Sequence, residues 1–273
     1  MAVSRRERFK KINNFCLYYG HGREDDLGRF ELAVVEPLGQ RKSGVRLIKE
    51  KGALVLAYIS VLELSMFHAQ STELRPDDFL CVDGVPLQNI SYHNWIMDPR
   101  SDRWRHRLLD KAFDLIEGHG YDGLFLDTIG DVEDKRLPSA VAGQALVAAA
   151  KLVYDLRNAF PEHILVQNSG LVKLRELTAR YVDAYCWENF SLQLVNNREW
   201  AIAVARQLIQ TGRSYGPRTL LLAEMDQSAG DGNSRLEHLD KLNFAKETGF
   251  PVYLAPPGYT GGITLWLAEE SFI

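Results

Sequence analysis

Short apolar runs that close on a carboxylate recur along the chain and alternate with stretches of helical period. LAVVEP holds Glu36, YISVLE ends on Glu63, GLFLD on Asp127, AYCWE on Glu188 and LLLAE on Glu224. Such runs, rich in β-branched and aromatic residues and bounded by turn formers, predict strands. The principal strands are expected at residues 15–20, 30–36, 53–60, 123–127, 164–168, 182–188, 220–224 and 251–255. Helical period is clearest at 45–51, 104–118, 140–159, 199–211 and 236–248. Gly118 and Gly120 close the helix before the fourth strand, and Gly249 followed by Pro251 closes the one before the eighth, as C-terminal stops do. Between the third and fourth strands, residues 62–102 hold an insertion. It carries turn-prone Pro76, Gly84 and Pro86 and a strand-like run at 95–97 that ends on Asp98.

Strand–helix alternation at this length predicts an α/β fold, a single (β/α)8 TIM barrel with the insertion on its functional face. One domain then spans residues 1–273, with 1–12 as an N-terminal extension. An open doubly wound sheet would alternate in the same way, but no Gly-rich phosphate turn follows the first strand. In a barrel of parallel strands the C-terminal ends converge on one mouth, so carboxylates there would form one acidic pocket.

Composition narrows the partners. A chain of 273 residues, 46% apolar and 25% charged, fits one large globular domain. Its net charge of −4 offers no basic face for nucleic acid. The basic cluster at 4–11 reads as a solvated, frayed terminus. No run approaches the roughly 18 apolar residues of a membrane span, and residues 1–20 lack the apolar core of a secretory signal. As written the chain reads as cytoplasmic; an extracellular protein with a trimmed N-terminus would look the same. Cys16, Cys81 and Cys186, odd in number and widely spaced, read as buried free thiols. No cofactor motif and no metal-ligand motif is seen.

The sharpest local signal is GYDGLFLD, in which Leu124 to Leu126 should line the barrel wall and Asp127 emerge at the top. Two strands later VDAYCWENF repeats the arrangement with Glu188. Alternate strands project into the same layer, which brings Asp127 and Glu188 to one height as a candidate catalytic pair. Acetal hydrolysis needs such a pair, one group to protonate the leaving oxygen and one to stabilise or attack the oxocarbenium centre. The opposing interpretation is that each carboxylate caps a helix or pairs with an arginine. Tyr18, Tyr58, Tyr185 and Trp187 lie on or beside strand ends and are candidate faces for sugar rings, although strand aromatics more often form core or wall. Asn168 ends the strand between the pair, where it could hold the nucleophile or a sugar hydroxyl. Glu36, Glu63, Asp131 and Glu224 would attract a substrate carrying free amines, and Asp98 is placed with them among the substrate-binding candidates. Surplus negative charge would also keep Glu188 protonated after Asp127 has ionised.

AYISVLE at 57–63, WIMDP at 95–99, GYDGLFLDTIGD at 120–131, ILVQNSG at 164–170 and AYCWENF at 184–190 together resemble the endo-α-1,4-polygalactosaminidase family of glycoside hydrolases. Relatives in that family include the domain acting on partly deacetylated Pel-type polysaccharide. The resemblance keeps order and approximate spacing over residues 15–257. It implies a (β/α)8 barrel cleaving a galactosamine-containing polymer, with Asp127 as nucleophile, Glu188 as acid/base and a retaining outcome. Two positions depart from the pattern. Leu62 stands where the family usually has Gly, and Met225 where it has an aromatic residue. Members are also commonly exported.

Two rival readings use the same mouth. Glu36, Asp127, Glu188 and Glu224 are hard oxygen ligands suited to a divalent metal in a metal-dependent enzyme, but none of the seven histidines falls in a ligand motif. A degenerate barrel that binds carbohydrate without turnover is the other. A serine hydrolase is disfavoured because no G-x-S-x-G elbow occurs.

Overall fold

The computed structural model describes residues 3–69, 73–225 and 232–269, the side chains of 232–237 excepted. Eight parallel strands form one sheet in chain order: β1 Cys16–Tyr18, β2 Leu32–Val35, β3 Leu54–Ser60, β4 Gly123–Asp127, β5 Ile164–Asn168, β6 Ala184–Glu188, β7 Arg218–Glu224 and β8 Val252–Ala255. The last strand lies against the first, where the rings of Phe15 and Tyr253 meet at 5.9 Å. The sheet is thus rolled into the expected barrel. Its strands are apolar throughout because a parallel sheet is covered on both faces. In β4, Leu124, Phe125 and Leu126 are fully buried although they point alternately inward and outward.

Helices among the described residues that flank the strands include α1 Lys42–Glu50, α2 Asp102–Phe113, α3 Ser139–Ala159, α4 Lys173–Thr178, α5 Arg198–Tyr215 and α6 Gly232–Thr248. Capping sets their starts, with the Ser101 and Asn197 side chains accepting from Trp104 N–H and Trp200 N–H. α3 buries the stripe Ala145, Ala149, Leu152, Val153 and Leu156. α4 and the two-turn helix at Phe190–Asn196 have no counterpart in the expected helices, since neither is long enough to establish a period. Among the described residues no helix is long and apolar enough to cross a membrane.

The 62–102 segment folds around a small antiparallel sheet of Glu63–Ser65, Asn94–Ile96 and Gln88–Asn89. The strand expected at 95–97 is its central member, and residues 70–72 lie outside the described part. Cys16, Cys81 and Cys186 are free. Cys16 and Cys186 are fully buried as expected, whereas Cys81 is only partly so.

The N-terminal segment is not frayed. Ser4 caps a helix at Arg5–Phe9, Phe9 is fully buried, and the Arg218 guanidinium donates to the carbonyls of Phe9, Lys10 and Ile12. Arg6 reaches Asp183 at 2.7 Å. The basic residues therefore dock the segment on the bottom of the barrel. Asp183 also accepts from Arg157 at 2.6 Å and from Leu165 N–H at 2.9 Å. Asp122 plays the same part at the foot of β4, accepting from Lys49 and from Val55 N–H. Acids at the N-terminal ends of the strands are thus paired with cations and tie neighbouring strands together.

Removing the acid from such a pair strands a buried cation, because Arg157 is only 11% exposed. Asp183→Ala should destabilise the fold by about 3–5 kcal/mol, seen as a lower urea midpoint with an unchanged slope.

Candidate active site

At the opposite end of the barrel three consecutive strands finish in the same way. Asp127, Asn168 and Glu188 are the last residues of β4, β5 and β6, and each is followed by a non-glycine residue in left-handed backbone. These are Thr128 (φ 60°), Ser169 (φ 62°) and Asn189 (φ 54°). The turn ends the strand abruptly and leaves the preceding side chain standing at the mouth. A β-branched residue tolerates this conformation poorly. Thr128 is held in it because its Oγ1 accepts from Val61 N–H at 3.2 Å and Leu62 N–H at 2.9 Å. The loops after β4 and β5 touch backbone to backbone: a Cβ on Gly130 would lie 2.8 Å from Gly170 N.

The three side chains form one circuit. Asn168 Nδ2 donates to Asp127 Oδ1 and to Glu188 Oε2, each at 2.7 Å. Tyr58 Oη donates to Asp127 Oδ2 at 2.8 Å, and Tyr259 Oη donates to Glu188 Oε1 at 3.0 Å. Tyr19 stands between the two phenols, its ring 4.8 Å from that of Tyr58 and 5.4 Å from that of Tyr259. Among the described residues no Lys or Arg forms an ion pair with Asp127, Glu188, Glu36, Glu63, Asp131 or Glu224, in contrast to the foot of the barrel.

Burial without a cation raises both members of the pair. Asp127 is pushed up by desolvation, opposed by hydrogen bonds from Asn168, Tyr58 and the Thr128 backbone. Glu188 is pushed up by desolvation and then by the charge of Asp127, with a further push from Glu224. Glu188 thus has fewer donors than Asp127, while Glu63 adds a like charge beside Asp127 as Glu224 does beside Glu188. Beside them Glu63 is 8% exposed and held by Asn89 and Asn94, each at 2.7 Å. Asp131 is pushed up to about 8 by desolvation and by the charges of Glu63 and Asp127. Its carboxyl therefore holds a proton well above the ordinary carboxylate range.

The remaining candidates are placed differently. Glu224 accepts from Gly258 N–H at 3.2 Å, and Glu36 accepts from Leu38 N–H, capping the turn at Pro37–Gly39. Both still act through their charge, Glu224 on Glu188 and Glu36 on Tyr58. Asp98 is not a free acid: Arg100 clasps both of its oxygens, at 2.9 Å and 2.7 Å. Tyr185 turns away from the mouth and donates to the Arg175 carbonyl at 3.0 Å. Trp187 turns the same way and packs on Phe190, Trp200 and Phe244. Tyr18 is buried, with its hydroxyl directed at the His21 carbonyl. Its neighbour Tyr19 occupies the mouth, because adjacent residues on a strand face opposite sides. Tyr19 and Tyr259 are the site residues missed from sequence. Pairing of β1 with β2 places Tyr18 beside Val35, so Tyr19 falls level with Glu36, and that register was the available signal. Nothing local marks Tyr259.

Residues 5–193 match the model of the glycoside-hydrolase family GH114. In structure the chain is similar to the glycoside hydrolase domain of PelA from Pseudomonas aeruginosa, with a TM-score of 0.73 at 19% identity over 91% of this chain and 96% of that one. It is similar to Ega3 of Aspergillus fumigatus, solved in complex with galactosamine, with a TM-score of 0.67 at 12% identity over 96% and 98%. The α-galactosidase of Thermus thermophilus, solved with stachyose, gives a TM-score of 0.59 at 16% identity over 91% and 62%. No curated protein matches the chain.

The raised Asp131 carboxyl carries a pH signature. Its folded value of about 8 lies above the ordinary 3.8, so the folded state keeps a proton that the unfolded state loses, and stability falls as pH rises between those values. Asp131→Asn imitates the protonated acid and does not titrate there. Its melting temperature should gain on wild type steadily from pH 4 to pH 8 in calorimetric scans; a pH-independent difference would contradict the assignment.

Proposed function

The chain belongs to glycoside-hydrolase family GH114, and from that premise we propose that it cleaves an α-1,4-linked, galactosamine-containing polysaccharide with Asp127 as nucleophile and Glu188 as acid/base. The observation that carries this reading is the single Asn168 amide shared by both carboxylates. With one nitrogen 2.7 Å from an oxygen of each, those oxygens are no more than about 5.4 Å apart. Retaining enzymes hold their carboxyls about 5–5.5 Å apart, while inverting enzymes need about 6.5–9.5 Å to admit a water. The spacing favours retention.

In that mechanism the ionised Asp127 attacks the anomeric carbon while Glu188 passes its proton to the departing glycosidic oxygen. The C–O bond to the leaving sugar breaks and a glycosyl ester on Asp127 forms. Water then attacks the anomeric carbon, Glu188 takes a proton from it, and Asp127 leaves as a carboxylate. The hydrogen bonds from Tyr58, Asn168 and the Thr128 backbone stabilise Asp127 as an anion before attack and as a leaving group afterwards.

The amino-sugar reading rests on the surplus of acids. Glu63 and Glu224 form no lysine or arginine ion pair among the described residues, so their charge would draw a substrate ammonium to the mouth. Galactosamine bound to Ega3 agrees in class. Tyr58 and Tyr19 offer the aromatic surface beside the pair.

Reducing-end release from partly deacetylated α-1,4-galactosaminogalactan tests the reading. Asp127→Asn and Glu188→Gln should each lower turnover by about 10²–10⁴-fold or more with folding intact, and the first-formed product should be the α-anomer by NMR. Wild-type protein that binds the polymer without cleaving it, with binding unchanged in Asp127→Asn, would instead support a non-catalytic carbohydrate-binding barrel.

A further inference from the structure

Tyr259 lies in a Pro-Pro-Gly-Tyr turn after β8, 71 positions along the chain from Glu188. The turn is held from three directions. Glu224 accepts from Gly258 N–H at 3.2 Å, Pro256 O accepts from Tyr259 N–H at 3.1 Å, and Tyr259 O accepts from Tyr19 N–H at 2.8 Å. Two successive residues, Gly258 (φ 67°) and Tyr259 (φ 57°), are left-handed. For tyrosine that backbone is unfavourable, and the residue is nonetheless only 8% exposed, with the hydroxyl 3.0 Å from Glu188 Oε1. The same turn that closes the seam between β8 and β1 therefore delivers a phenol to one particular carboxylate oxygen.

The two partners of Glu188 differ in kind. Asn168 Nδ2 meets Oε2 and can only donate. A phenol can donate or accept. When Glu188 is protonated, the amide on Oε2 leaves Oε1 as the oxygen that carries the proton, and Tyr259 Oη is the acceptor facing it. When Glu188 is ionised, the same hydroxyl reverses and donates. We propose that Tyr259 is a positioning residue for Glu188, holding the acid's proton on Oε1 before reaction and donating to the carboxylate after it is lost, so that one geometry serves both halves of the proton cycle. This rests on the reading of Glu188 as acid/base.

The test is a set of pH–rate profiles on the partly deacetylated polymer for wild type, Tyr259→Phe, Glu188→Gln and protein carrying a fluorinated tyrosine at 259. Tyr259→Phe should lower kcat by about 10–100-fold with little change in KM. Losing a donor to the carboxylate should move the basic limb of kcat/KM to higher pH, since that limb reports ionisation of the acid. Fluorination keeps the ring and makes the phenol a stronger donor, so the limb should move to lower pH while activity persists. Opposite shifts support the proposal, and the fluorinated protein alone decides it if Tyr259→Phe does not fold. A basic limb unmoved by fluorination, with Glu188→Gln inactive, overturns the proposal and spares the assignment of Glu188. Wild-type turnover in Glu188→Gln removes the assignment and the proposal together.

Discussion

A single amide group, Asn168 Nδ2, lies between two carboxylates that would otherwise repel one another, and the mouth of the barrel is arranged around it. Two full charges about 5 Å apart at an effective dielectric near 20 oppose each other by about 3 kcal/mol. No lysine or arginine ion pair offsets this among the described residues. The relief comes from donors on three elements: Asn168 to both, Tyr58 to Asp127 and Tyr259 to Glu188. Hydrogen bonds of this kind leave the charges uncancelled, and burial pushes both carboxyls above their ordinary range. A cation in the same place would have ionised both.

The two ends of the barrel treat acidic residues in opposite ways. At the foot, Asp122 and Asp183 are matched with Lys49, Arg6 and Arg157 and also accept backbone N–H groups of neighbouring strands. There the carboxylates contribute to folding. At the mouth, Asp127 and Glu188 meet no lysine or arginine ion pair among the described residues, and Thr128, Ser169, Asn189 and Tyr259 hold left-handed backbone. Such strain and like-charge crowding persist only where the surrounding structure over-determines them, a pattern typical of functional sites.

How much of this was legible from sequence varied with the range of the signal. The strands and the longer helices were readable because parallel strands are continuously apolar and helices such as α3 carry a buried stripe over several turns. Short α4 was not, since six residues cannot establish a period. Among site residues, strand-terminal Asp127, Asn168 and Glu188 were visible as the ends of apolar runs. Asp98 carried the same mark, yet Arg100, two positions on, clasps it.

The sequence by itself determined that apolar runs would alternate with helices and that several runs would end on acids, because burial on both faces and strand termination are local demands written in residue type. Only the tertiary structure decided which acids stand free and which are neutralised, and that Tyr19 rather than Tyr18 faces the mouth. Only it brought Tyr259 to Glu188, through the closure of β8 on β1. Those outcomes depend on register, on the pairing of charges across distant segments and on the seam of the barrel, which are relations between elements that no single stretch of chain contains.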